Sequence, residues 1–183
     1  MPDVIIGFSF GKCRETSDQV GTNGGLAWSV AALLRQFQKC KKTRPILCLQ
    51  QEIAYAFVNH GFGKLNAKDH MIVSSREDGK YVNTNMVVSE AVRLVKNLHR
   101  IIIVAHPDHS PRCIRIIREM GCVPIRTRYL QPLGGGIPWI RFGCDKRGYY
   151  QDSTQPWTRT RRHFLTHENR LHNYTSRKGS YLH

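Results

Sequence analysis

The chain is short of acidic residues and has no long apolar run. Its 183 residues carry 13 Asp and Glu against 28 Lys and Arg, a formal net charge of +15. The balance sets the sign of any partner chosen by charge: nucleic acid, nucleotide, phosphorylated lipid or an anionic membrane surface. A surface adapted to solubility, or a basic tail that fastens the chain to itself, would give the same balance. The longest apolar stretches, Val4 to Phe8 and Ile101 to Ala105, fall far below the roughly 20 residues needed to cross a bilayer. Met1-Pro2-Asp3 lacks the basic and apolar regions of a signal peptide, so the expected location is cytoplasmic. The six cysteines (Cys13, Cys40, Cys48, Cys113, Cys122, Cys144) show no CxxC or other zinc spacing and read as reduced structural thiols. Internal repeats and low-complexity segments are missing too.

What is present is an alternation of short apolar runs with helical spacing. Val4-Ile5-Ile6 reads as a first strand, followed by a polar loop. Leu26, Val30, Leu33, Leu34 and Phe37 then recur at intervals of three and four, as one helix face does. Ile46-Leu47-Cys48-Leu49 is a second strand. A short helix over 51–59 is expected to bury Ile53, Tyr55, Ala56 and Phe57 and to stop at Gly61, and Met71-Ile72-Val73 is a third strand. Asn83 or Thr84 can cap the next helix, whose inward face is Val87, Val88, Ala91, Leu94, Val95 and Leu98. Ile101-Ile102-Ile103-Val104 is a fourth strand, its continuous apolarity predicting cover on both faces. Ser110-Pro111 opens a helix to about Met120, Gly121 ends it, and Val123 to Ile125 is a fifth strand. Strands alternating with helices require a parallel sheet, here a doubly wound α/β core of five strands in the order 3-2-1-4-5.

This core spans 1–129, and 130–183 reads as a basic aromatic extension packed on it. Leu133-Gly134-Gly135-Gly136 lacks the lysine and helix opening of a phosphate loop and reads as a turn. Thr158 to Asn173 is expected as a last helix, with Phe164 on one face and Arg159, Arg162 and Arg170 on the other.

Four polar clusters fall where strands hand over to helices: Gly7 to Gly11, Ser74-Ser75-Arg76, Asn83-Thr84-Asn85 and His106 to Arg112. In open α/β sheets the carboxyl ends of the strands hold the ligand crevice. Gly7 and Gly11 let the first loop approach a ligand closely; Ser75, Arg76, Asn83 and Thr84 offer donors. Backbone N–H groups at the helix start, with Arg112 and the His109 imidazole, make an anion site. Asp108 and His109 are the candidates for acid–base chemistry. Gly7-Phe8-Ser9-Phe10-Gly11 has the GxSxG form, but a long polar loop follows Ser9 instead of a helix, so no nucleophile is assigned. His106, Asp108 and His109 match no metal motif, and His163, His167 and His172 read as a solvated basic face; no metal site is predicted.

The order of elements, with Val104 to Arg112, resembles the YdcF-like family of bacterial proteins, in which a strand ends in a small polar loop followed by a His-x-x-Arg element opening a helix. His109 and Arg112 match that element, and Asn83-Thr84 is similar to the family's Asn-Thr pair. The likeness extends to Gly7 to Gly11 and to Glu168 in the last helix. The chain departs at Met86-Val87, where the family usually has Glu-Asn, and at Ala105-His106, where it has Thr-Ser. The resemblance implies a Rossmann-like three-layer sandwich and a ligand of S-adenosylmethionine type, nucleotide-like or phosphorylated, held by Gly7, Ser9, Gly11, Ser75, Arg76, Asn83, Thr84, His106, His109 and Arg112. A second class of function competes with it. Arg141, Trp157, Arg159, Arg161 and Arg162 in the tail could grip phosphates and stack bases of a nucleic acid.

Overall fold

Short, mostly apolar runs free of Asp, Glu, Lys and Arg form the strands, and the helices begin where polar residues interrupt them. The computed structural model describes residues 4–11, 22–72, 82–95, 101–121, 158 and 162–170. In chain order these give β1 (Val4–Gly7), α1 (Thr22–Lys39), β2 (Ile46–Gln50), α2 (Gln51–Asn59), β3 (His70–Ile72), α3 (Thr84–Leu94), β4 (Ile101–Val104) and α4 (Ser110–Glu119). A last helical segment, α5, covers 162–170.

The described strands form one parallel sheet of order β3-β2-β1-β4. Val4 pairs with Ile46 on one side and Ile101 on the other, so β1 is central and its register is fixed twice. The Phe8 N–H donates to the Val104 carbonyl at 2.9 Å and carries the ladder one step past β1. Because side chains alternate across a strand, β1 feeds both faces. Val4, Ile6 and Phe8 pack with Val87, Val88 and Ala91 of α3 and Cys113 and Ile117 of α4. Ile5 and Phe10 pack with Leu26 and Val30 of α1, Ile53 and Phe57 of α2, and Phe164 of α5. The molecule is thus α/β with helices on both faces of a parallel sheet. No helix among the described residues is long and apolar enough to cross a membrane.

Four of the five expected strands and their order are present; Val123 to Ile125 lies outside the described residues, as do Val73, Leu98 and most of 130–183. Tyr55 was expected inside but is 50% exposed. Its hydroxyl accepts from Gln51 Nε2 at 3.0 Å, so the phenol lies along the outside of α2. In β4, Ile102 and Ile103 are only half-buried. Ser110 does not cap α4: His109 occupies the cap position, and the Ser110 hydroxyl donates to the Pro107 carbonyl at 2.9 Å. Cys48 and Cys113 are buried and Cys40 is exposed. Burial pushes the Cys48 thiol up to about 12, with the nearby Asp69 charge adding to it, so it is inert.

At the amino-terminal edge of the sheet, one carboxylate ties two loops together. Asp69 accepts both guanidinium nitrogens of Arg44 (2.8 and 2.6 Å), the Leu47 N–H at 3.0 Å and the Asn66 N–H at 2.9 Å. This joins the α1–β2 connection to the α2–β3 connection.

Candidate functional site

The chain runs outward from β1 to β2 and β3, then returns to the other side of β1 to form β4. Loops leaving β1 and β4 therefore part company, and that reversal is where α/β sheets open a crevice. A cleft of about 360 Å³ lies there, within the size range of small-molecule sites.

Its first wall is the end of β1: Ser9, Phe10 and Gly11. Asn23, fully buried in the first turn of α1, fixes this segment by accepting the Phe10 N–H at 2.9 Å and donating to the Gly11 carbonyl at 3.1 Å. Gly11 has φ 75°, a left-handed conformation that a side chain would strain. The Ser9 N–H donates to Gln50 Oε1 at 2.7 Å. Only the carbonyl side of an amide can accept that bond, so the orientation of Gln50 is set. Its Nε2 is left buried, without a partner, in a side chain that lines the cleft.

The second wall is the start of α3. Asn83 Oδ1 caps the helix by accepting the Met86 N–H at 3.0 Å, which again turns the amide nitrogen away from the helix. Val82, Thr84 and Asn85 complete this side.

The third wall comes from the β4–α4 turn. His106 is fully buried beneath it, its ring stacked on Phe10 at 3.9 Å and its Nδ1 accepting the Asp108 N–H at 3.2 Å. His109 lines the cleft, with its ring edge-on to Phe8 and to Phe164 and its Nδ1 buried without a partner. Burial, then the charges of Arg112 and His106, hold its pKa well below 6.5, so the imidazole is neutral at pH 7. From His109 the cleft continues along one face of α4 through Arg112, Arg115, Ile116 and Glu119.

α5 closes the outer side with Phe164 and His167, next to Thr158. Phe164 is 5.0 Å from Phe10 in the α1–α2 layer, while Glu168 reaches Arg112 of α4 at 2.6 Å. α5 therefore straddles the two helical layers. The Arg112–Glu168 approach is close but out of line for a hydrogen bond, so charge pairing joins them. Burial raises the Glu168 pKa, outweighing the pull of Arg112 and Arg115. Burial also lowers that of His167, with Arg112 and Arg170 acting in the same direction. Along α4, Arg115 lies 3.7 Å from Glu119. Two guanidinium groups are thus matched by two carboxylates in a chain whose bases outnumber its acids 28 to 13.

Of the residues expected at the site, Ser9, Gly11, Asn83, Thr84, His109 and Arg112 meet at this cleft. Gly7 does not line it: a Cβ there would stand 2.8 Å from Leu49 Cδ2 and 3.2 Å from Ile53 Cδ1, so its close approach is to the core. His106 is beneath the wall, and Asp108 is half-buried and away from the lining. His109 Nδ1 has no hydrogen-bond partner, so Asp108 does not bond that nitrogen. Ser75 and Arg76 lie outside the described residues. Arg112, expected with His109 and the helix-start N–H groups to hold a ligand anion, already has Glu168 as its counter-ion. His167, expected on a solvated basic face, lines the cleft. Gln50, Arg115, Glu119 and Phe164 were not anticipated as site residues. The signals for them were present: Gln50 ends a central strand, and Arg115 and Glu119 follow Arg112 at helical spacing. Among the described residues no group of three or more His, Cys, Asp or Glu is placed to hold a metal ion. Compared with known proteins, the chain matches no family model, no curated protein and no solved structure.

Proposed function

We propose that the protein binds a small nucleoside-like molecule carrying charges of both signs, of S-adenosylmethionine type, in the cleft at the carboxyl ends of β1 and β4. The observation that carries this reading is the buried, oriented and unpartnered Gln50 Nε2. A buried donor left unmade costs about 1–3 kcal/mol, a cost that a ligand acceptor removes. Phe10, Phe164, Val82 and Ile116 offer apolar surface for a ring, and Asn83 and Thr84 offer polar contacts at the start of α3.

Charge selects within the wider class of nucleotide-like or phosphorylated ligands. With Glu168 against Arg112 and Glu119 near Arg115, a polyphosphate would bring several negative charges against two carboxylates. A molecule carrying both an acidic group and cationic centres finds opposite charges for each in these two pairs. Of the residues that would serve a nucleic-acid function in the tail, only Arg162 is among those described, and it is exposed; Arg141, Trp157, Arg159 and Arg161 lie outside them.

The test is thermal stabilisation of nucleic-acid-stripped protein by three ligands sharing one nucleoside: adenosine, ADP and S-adenosylhomocysteine. The expected order is S-adenosylhomocysteine first, since binding to the native state raises its stability by mass action. Stabilisation by ADP alone would overturn the charge argument, and no response to any of the three would overturn the ligand class.

A further inference from the structure

The opposite edge of the sheet carries a different electrostatic pattern. Lys39 ends α1, the α1–β2 connection holds Lys41 and Lys42, and the α2–β3 connection holds Lys64 and Lys68, all five exposed. Across 38–45 and 60–69 the one carboxylate is Asp69, whose side chain is fully buried and engaged with Arg44. Glu90, which feels the charge of His70 in β3, is itself paired with Arg93 at 2.6 Å. The five ammonium groups therefore have no carboxylate of their own across 38–45 and 60–69.

They are also held side by side. β2 and β3 are parallel neighbours, with Cys48 opposite His70, so the connections entering them start at the same edge. The Arg44–Asp69 bridge and the bonds from Leu47 and Asn66 to Asp69 fasten one connection to the other. Such a fixed cluster of like charge opposes folding by self-repulsion, and a polyanion relieves it. Beside the lysines, in the same α2–β3 connection, the exposed His60 ring stacks on Phe62 at 5.4 Å with 28° between the planes. Lysines that track a backbone, with a flat ring surface among them, are the two components of single-strand recognition. An anionic membrane would instead call for apolar side chains projecting from among the lysines, and Leu65 and Phe62 in this connection are both half-buried.

We infer that this amino-terminal edge of the sheet is a docking surface for single-stranded nucleic acid, with Lys39, Lys41, Lys42, Lys64 and Lys68 on phosphates and the His60–Phe62 pair under a base. The site lies at the opposite end of the sheet from the cleft.

The experiment is fluorescence anisotropy of the full chain with a labelled 20-nucleotide oligo-U, titrated across salt concentrations. Five phosphate contacts predict a slope of log affinity against log salt of about −3.5. A variant with Lys41→Glu, Lys42→Glu, Lys64→Glu and Lys68→Glu is expected to bind at least 100-fold more weakly with a flattened slope. Those residues are exposed, so its circular dichroism and its thermal response to S-adenosylhomocysteine should match the parent. His60→Ala is expected to lose about 5-fold or more, in the range of one lost base stack. Unchanged oligo-U binding in the quadruple variant would overturn the inference. So would a loss seen only with Arg159→Glu, Arg161→Glu and Arg162→Glu, or binding of the parent to phosphatidylserine vesicles without binding to oligo-U.

Discussion

Gln50→Glu is the sharpest perturbation available at the cleft. It keeps the side-chain length and an oxygen to accept the Ser9 N–H, and it replaces a buried amide donor left without a partner in a cleft-lining side chain by an acceptor. A ligand acceptor that met a donor now meets an oxygen. Loss of a hydrogen bond to a charged group is worth about 1.5–3 kcal/mol, which converts to roughly 10- to 150-fold in affinity. At a ligand concentration about 100 times the parent dissociation constant, binding stabilises the parent by about 2.7 kcal/mol. For a domain of this size each kcal/mol moves the Tm by about 3 °C, so the parent should shift by about 8 °C. The variant should shift by about 1–4 °C under the same conditions. Differential scanning fluorimetry with S-adenosylhomocysteine reads both values, and Gln50→Leu, which removes donor and acceptor together, should also lose the shift. A full parent-like shift in Gln50→Glu would refute the assignment of Nε2 as a ligand donor.

Other positions give independent outcomes. Gly7→Ala pushes a methyl group against the fully buried Leu49 and Ile53, and overpacking of this kind costs about 1–3 kcal/mol. Chemical denaturation should show that loss, while ligand affinity stays within twofold. Burial, then the charges of Arg112 and His106, hold the folded His109 pKa well below the ordinary 6.5. Its contribution is therefore complete above pH 6.5 and is lost as the pH falls from there toward the folded value, because only the unfolded chain takes up the proton. Urea melts should show stability falling as the pH drops below 6.5, and His109→Phe should remove that part of the slope. Burial raises the Asp69 pKa, but the bonds from Arg44, Asn66 and Leu47 outweigh it and hold the value below 3.8. Its stabilisation is present above that pH and disappears as the pH falls through the lower folded value. Asp69→Asn should cost about 2 kcal/mol at pH 7, less than a fully buried pair because Arg44 is partly exposed.

The elements were legible where local pattern and packing agree. α2 runs from Gln51 to Asn59 as its apolar spacing predicts, and Asn83 caps α3 as an asparagine before a helical run should. Tyr55 misled because a phenol is apolar in composition yet sits at ease on a wet surface when its hydroxyl has a partner. The loops at the cleft were legible because strand ends are countable. The charge state of the cleft was not, since Glu168 lies 56 positions from Arg112 and no local pattern joins them. Gly7 shows the same limit: a glycine at a strand end marks a close approach, and only the packing says whether a ligand or Leu49 is approaching. The donor role of Gln50 follows from a hydrogen bond 41 residues away, which no spacing rule reads.

The most direct measurement is the side-chain amide resonance of Gln50 in protein labelled with 15N-glutamine, followed by NMR as S-adenosylhomocysteine is added and assigned by its absence in Gln50→Leu. A ligand bound in the cleft should shift both Nε2 protons progressively and to saturation, together with the Asn85 side-chain amide in protein labelled with 15N-asparagine. Saturable binding with these resonances unmoved, or no binding at all, would contradict the assignment of the cleft as the functional site.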